Sequence, residues 1–182
     1  MSKALPHDHP DYEFPKEVHN MLVAAMEAHV QFSAMADTKA SILMGATFVV
    51  FTLTIGQMST TTLLASPSLI LLGVFSFIAT VLSVMAVMPA IKTPKGRNPN
   101  YLFFGVFSTV PEAEFVDRMI DVMRDEETTY RTMARDLYQN GIVLQKKKYY
   151  YLTRSYQAFL AGIILTLAAF LLQAATGWPH QA

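Results

Sequence analysis

ASILMGATFVVFTLTIGQMSTTTLLASPSLILLGVFSFIATVLSVMAVMPAI, residues 40–91, contains no Asp, Glu, Lys, Arg or His. Within it, Ser41–Met58 supplies 18 uncharged residues. As a helix they reach roughly 27 Å, close to the bilayer's hydrocarbon core of about 30 Å. Ser68–Ile91 supplies 24 more, enough to cross with some tilt, and Pro67 and Pro89 stand near its ends. A third uncharged stretch, Ser155–Ala175, reads SYQAFLAGIILTLAAFLLQAA. Beyond it come Gly177, which can end a helix, and Trp178, which favours the membrane interface. A chain of 182 residues cannot bury three such helices on all sides. The pattern predicts an all-α membrane protein with three transmembrane helices.

Composition agrees. Charged residues make up 15% of the chain, against about 25% in soluble domains, and mean hydropathy is +0.30. There is no Cys, hence no disulfide framework, thiolate metal site or Cys nucleophile. Fourteen basic and fourteen acidic residues give zero formal charge, which argues against binding a nucleic acid polymer. The first span lies behind an acidic, Pro-containing leader and runs on to a second, unlike a cleaved signal peptide.

Charge also sets topology. Lys3, Lys16 and Lys39 precede the first span, and the other eleven basic residues fall within 92–154. The short loop 59–67 and the end 176–182 have none. The positive-inside rule places the N-terminus and the long connection in the cytoplasm and the C-terminus in the periplasm of a bacterial inner membrane. Three crossings demand the same.

The domain reading follows. Residues 1–14 form a disordered cytoplasmic leader. Residues 15–58 form one long helix, opened by Pro15 and striped by Val18, Leu22, Met26 and Val30, that becomes the first span. Residues 68–91 are the second span, 92–154 a cytoplasmic helical region and 155–175 the third span. In the cytoplasmic region Lys92–Asn100 is a polar turn. Tyr101–Val110 is apolar, aromatic and too short to cross. Ser108 or Thr109 suits a helix start before Pro111. Phe115, Met119 and Val122 or Met123 stripe one helix, and Tyr130, Met133 and Leu137 stripe another that runs unbroken into the third span. Two of the spans are thus continuous with a cytoplasmic helical bundle.

Candidate sites cluster near the membrane surface. Asp37, Lys39 and Arg154 form a membrane-interface ion-pair set, in which Asp37 needs a cation from Arg154 or Lys148. Lys146, Lys147 and Lys148 abut Tyr149-Tyr150-Tyr151. Such a cluster anchors to headgroups, or offers phosphate-binding cations beside stacking rings. Arg118, Arg124, Arg131 and Arg135 lie among acids, as solvated helix charges or ligand contacts. Arg131, Arg135, Lys146, Lys147, Lys148 and Tyr149 are the candidate ligand residues. His7-Asp8-His9 has no evident third ligand, so no metal is expected. No P-loop, nucleophile elbow or zinc-protease motif is present, and the spans lack the paired acids of a proton carrier. The residues describe a non-enzymatic sensor, pore-forming effector, or scaffold recruiting a cytoplasmic partner.

Three blocks carry a resemblance: Asp37-Thr38-Lys39-Ala40 entering the first span, Asn100-Tyr101-Leu102-Phe103-Phe104-Gly105 after the polar turn, and Lys148-Tyr149-Tyr150-Tyr151-Leu152 leading through Ser155-Tyr156 into the last span. Their order and spacing resemble the PycTM family, the transmembrane effectors of bacterial Pycsar antiphage systems, from about Val18 to Gln173. The resemblance implies a companion cyclase that makes cCMP or cUMP on phage infection. It also implies an effector that then impairs the inner membrane and halts the cell. The sequence shows no cyclic-nucleotide-binding β-barrel, so a nucleotide site would be built from helices, between subunits. Homo-oligomers are expected, since three uncharged helices cannot line an ion pore alone. Ser41, Gly45, Thr47, Thr52, Thr54 and Gly56 suit close helix contact.

The charge distribution fixes a topology test. A reporter fused after Ala182 is expected to read periplasmic, and one inserted near Gly96 cytoplasmic. A cytoplasmic C-terminus would refute three crossings.

Overall fold

The computed structural model describes residues 14–58, 67–89 and 101–176. The leader, the loop after Met58, the polar turn through Asn100 and the Gly177–Trp178 end lie outside these. Every regular element among the described residues is helical. They are α1 (Lys16–Met58), α2 (Pro67–Val87), the short α3 (Phe104–Phe107), α4 (Glu112–Met123), α5 (Glu126–Val143) and α6 (Tyr150–Thr176). A π-helical turn, Leu144–Tyr149, joins α5 to α6.

Three helical stretches are long and apolar enough to cross a membrane: Lys16–Met58, Pro67–Val87 and Glu126–Thr176. The first has 43 residues and the last 51, roughly 64 and 77 Å, so each exceeds the hydrocarbon core. Pro15 opens α1 by accepting the Val18 N–H at 2.9 Å. Of the second expected span, 68–91, the last two residues lie outside the described ones, and α2 covers Pro67–Val87. Its helix stops at Val87, and the Met88 N–H still reaches the Val84 carbonyl. Pro89 has no N–H to continue the ladder and pushes Met88 out of the helical region.

The chain divides into two compact units, one holding residues up to His29 and 91–140, the other Val30–Ala90 and 141–182. In the first unit Leu22, Phe103 and Val106 are buried. The apolar segment 101–110 packs on α4, with the Phe107 ring 5.6 Å from that of Phe115 and the Arg118 guanidinium 5.6 Å over Tyr101. Phe14 meets Tyr130 edge to face, centroids 5.0 Å apart. Neither Ser108 nor Thr109 caps α4. The cap position is Pro111, and the Thr109 hydroxyl turns back to the Val106 carbonyl at 2.8 Å. Glu112 and Glu114 answer the helix dipole instead. Of the alternatives in the α4 stripe, Val122 is half-buried while Met123 is exposed. Asp125 caps α5 through the Thr128 N–H at 2.8 Å and the Thr128 hydroxyl. The Thr128 hydroxyl, then its N–H, holds the Asp125 carboxyl below its ordinary pKa. The cap therefore stabilises above the normal carboxylate pKa and is lost as pH falls through the depressed one.

The second unit is packed by small and hydroxylic residues, with the large ones outside. The buried face of α2 is Ser68, Gly73, Ser76, Ala79, Ser83 and Ala86. Also buried are Ala36, Ala40, Leu43, Thr47 and Thr54 of α1, and Leu152, Ser155 and Gly162 of α6. Lipid supplies no hydrophobic drive between helices, so close backbone approach and interhelical hydrogen bonds take over. Ser155 donates to the Ala79 carbonyl at 2.6 Å and lies 2.7 Å from the Ser83 hydroxyl. A hydroxyl has one proton, so Ser83 is the donor in that pair. Thr80 reaches Thr47 at 2.8 Å. Other hydroxyls turn onto carbonyls one turn back, as Thr54 does to Val50.

Gly162 marks a close approach of α6 to α2. A Cβ there would lie 2.5 Å from the Phe75 Cβ, whereas at Gly45 it would meet nothing within 4 Å. Gly162→Ala is therefore expected to cost about 1–3 kcal/mol through overpacking. Gly45→Ala should be neutral or gain up to about 1 kcal/mol of helix propensity. Thermal unfolding in detergent, followed by circular dichroism at 222 nm, checks the contrast.

Candidate functional site

The buried cluster Ala36, Ala40, Ala86 and Leu152 closes one end of the second unit, with Val87, Tyr149 and Tyr151 packed against it. The chain's interface charges gather around this cluster. A π turn holds more residues per turn than an α-helix and resets the register that follows. Here it aims two neighbouring lysines at different partners. Lys147 Nζ donates to the Pro89 carbonyl at 2.9 Å. Lys148 Nζ donates to Ser33 Oγ at 2.7 Å and to Asp37 Oδ2 at 2.6 Å. The Lys148 side chain is only 17% exposed and that of Asp37 39%. The other carboxylate oxygen, Asp37 Oδ1, is buried without a hydrogen-bond partner among the described residues. Tyr149 Oη lies 3.4 Å from the Phe32 carbonyl.

The ion pair thus joins Asp37 to Lys148. Arg154 takes no part. It lies over the Tyr150 ring, 5.5 Å from the centroid, and reaches Gln157 Oε1 at 3.4 Å. Lys39 takes no part either. It follows Asp37 by two residues, about 200° around the helix, and stays exposed. The expected smooth passage into the third span is likewise modified: the helix is continuous, but widened over the three lysines. The sequence signals no π turn there beyond the crowding of Lys146, Lys147 and Lys148.

Arg131, in the first unit, is already committed to Glu127 one turn back through an ion pair and a hydrogen bond from Nε at 2.6 Å. Arg118 pairs with Glu114 at 3.7 Å and Arg124 with Asp121 at 3.2 Å, all well exposed. Arg135 is exposed and makes no ion pair among the described residues. Sequence reasoning missed Asp136, which is 4% exposed and accepts from Asn140 Nδ2 at 2.9 Å. The i, i+4 spacing of Asp136 and Asn140 was the available signal.

Lys146 is exposed and makes no contact of this kind. A groove of about 370 Å³ on the second unit is lined by Gln145, Tyr149, Tyr150, Thr153, Arg154 and Gln157. It joins Tyr149 and Arg154, assigned to different roles from sequence, in one place. His7, Asp8 and His9 lie outside the described residues. Among the described residues no group of three His, Cys, Asp or Glu could hold a metal.

The Asp37–Lys148 pair can be weighed by a double-mutant cycle. A fully buried pair loses about 3–5 kcal/mol when one partner is removed, but Asp37 is partly solvated. Asp37→Asn and Lys148→Met are each expected to destabilise, with a coupling of about 1 kcal/mol in thermal unfolding. Additive losses would mean that the contact contributes nothing.

No curated protein and no solved structure matches the chain. The model of the Pycsar effector protein domain, PycTM, matches residues 21–175. That range takes in nearly all of α1, the whole of α2 and the π turn, and α6 almost to its end. This three-span helical membrane protein belongs to the Pycsar transmembrane effector family.

Proposed function

We propose that the protein is the membrane-impairing arm of an antiphage system at a bacterial inner membrane, triggered by cCMP or cUMP from a companion cyclase. The family match over residues 21–175 carries this reading. The effector acts without catalysis, by a shift between a closed and an open assembly. A ligand drives such a shift only as far as it binds the open state more tightly.

The open state needs more than one chain. No Asp, Glu, Lys or Arg falls within the three uncharged stretches, so one copy offers too little polar surface for a pore. α1 has a second small-residue face. Ser41, Gly45, Thr52 and Gly56 fall within about 60° of one another, roughly opposite buried Ala36, Ala40, Thr47 and Thr54. They are exposed in the single chain, and added Cβ atoms at Gly45 and Gly56 would meet nothing within 4 Å. This face suits contact with further copies.

A cyclic mononucleotide carries one negative charge, which one or two cations satisfy. Arg131 and Arg135 on the first unit, and Lys146, Lys147, Lys148 and Tyr149 on the second, remain the proposed ligand residues, each set a candidate by itself. Their present commitments rank them: Lys148 is held by Asp37, Arg131 by Glu127 and Lys147 by a carbonyl, while Arg135 and Lys146 are exposed. Calorimetry on purified protein is expected to show cCMP or cUMP binding, weakened about ten- to a hundred-fold by Arg135→Ala or Lys146→Ala. In cells, those variants should insert normally yet lose cyclase-dependent leakage. Gly45→Leu should bind nucleotide and still fail to leak. Binding of neither nucleotide would sink direct sensing and favour a trigger delivered by a partner.

A further inference from the structure

The groove around Arg154 has no role in the pairing of Asp37 with Lys148, and its chemistry is that of a lipid headgroup site. We infer that it seats one anionic glycerophospholipid of the surrounding leaflet, phosphate on Arg154 and an acyl chain along α6. The inference does not depend on nucleotide sensing.

Depth is the first argument. The uncharged run Ser155–Ala175 is just long enough to fill the hydrocarbon core, which puts Arg154 at its boundary. Gln145, at the other end of the groove, is roughly 13 Å further along the helix, past the headgroup layer. Arg154 is therefore at phosphate level.

Charge and geometry are the second. The Tyr150 ring orients the guanidinium, and one long contact to Gln157 leaves most of its donors unused. No carboxylate lines the groove to neutralise the ammonium of a choline or ethanolamine headgroup, and the Tyr150 face is already taken by the Arg154 guanidinium. A net anionic lipid fits better than a zwitterionic one.

The third argument is continuity. A second groove of about 410 Å³ shares Thr153 and Gln157 with the first and continues over Tyr156, Phe159, Leu160 and Ile163. Its lining is mostly apolar and lies alongside the hydrocarbon. A cyclic nucleotide has no chain to place in it. A second copy that paired with Arg154 would need an acid at the same depth, and the acid closest to the first span, Asp37, is held by Lys148.

Native mass spectrometry of the full chain in detergent tests this, with dioleoyl phosphatidylglycerol and dioleoyl phosphatidylcholine as probes. One phosphatidylglycerol is expected per chain, retained about tenfold better than phosphatidylcholine. Arg154→Gln should abolish that preference with helicity unchanged. Thr153→Trp, which fills the junction of the grooves without altering charge, should weaken both lipids. Glycerol phosphate and cCMP should displace neither. The inference is overturned by equal retention of the two lipids, by a preference that survives Arg154→Gln or a retention that survives Thr153→Trp, or by displacement with glycerol phosphate. Displacement by cCMP would instead assign the groove to the nucleotide. An Arg154-dependent dimer in lipid-free detergent would assign it to a second copy.

Discussion

Small residues hold the second unit together. In lipid, a large apolar side chain gains little by turning inward, because hydrocarbon surrounds it either way. Backbone proximity and hydrogen bonds are what remain. The path from Ser83 through Ser155 to the Ala79 carbonyl uses both. It exists because the two helices come close enough for Gly162 to lie against Phe75. Leu53, Ile164 and Leu172 are correspondingly exposed, the reverse of a soluble core.

Where the hydrocarbon ends, the constraint changes sign. Charge is tolerated at the interface only with partners, and there the helix deviates from regular geometry. Across the π turn Lys148 reaches Ser33 and Asp37 while Lys147 satisfies the carbonyl of Pro89, beyond the end of α2. The three spans are thereby tied together at a single level by a few polar contacts. A ligand that competed for Lys147 or Lys148 would act on those ties directly, which gives an interface cation leverage that a solvated arginine such as Arg118 lacks.

The outward surfaces differ in kind. The small-residue face of α1 suits another helix, while the grooves on α6 combine one cation with an apolar channel and suit a lipid. Assembly and lipid contact can thus proceed on separate helices. A membrane effector can in this way respond to its bilayer as well as to its trigger.

The sequence by itself determined the three spans, the helical class and the family, because hydropathy and length add up locally along the chain and need no knowledge of partners. The blocks around Asp37, Asn100 and Lys148 were legible for the same reason. Only the tertiary structure decided that Asp37 takes Lys148, a residue 111 positions away, and leaves Arg154 to Tyr150. It also decided which of the two small-residue faces of α1 turns inward, and that Tyr149 and Arg154 line one groove. Those outcomes depend on the rotation and register of helices distant in sequence. A run of three lysines looks equally suited to lipid, nucleotide or carboxylate until the fold seats Lys147 on the Pro89 carbonyl and Lys148 on Asp37.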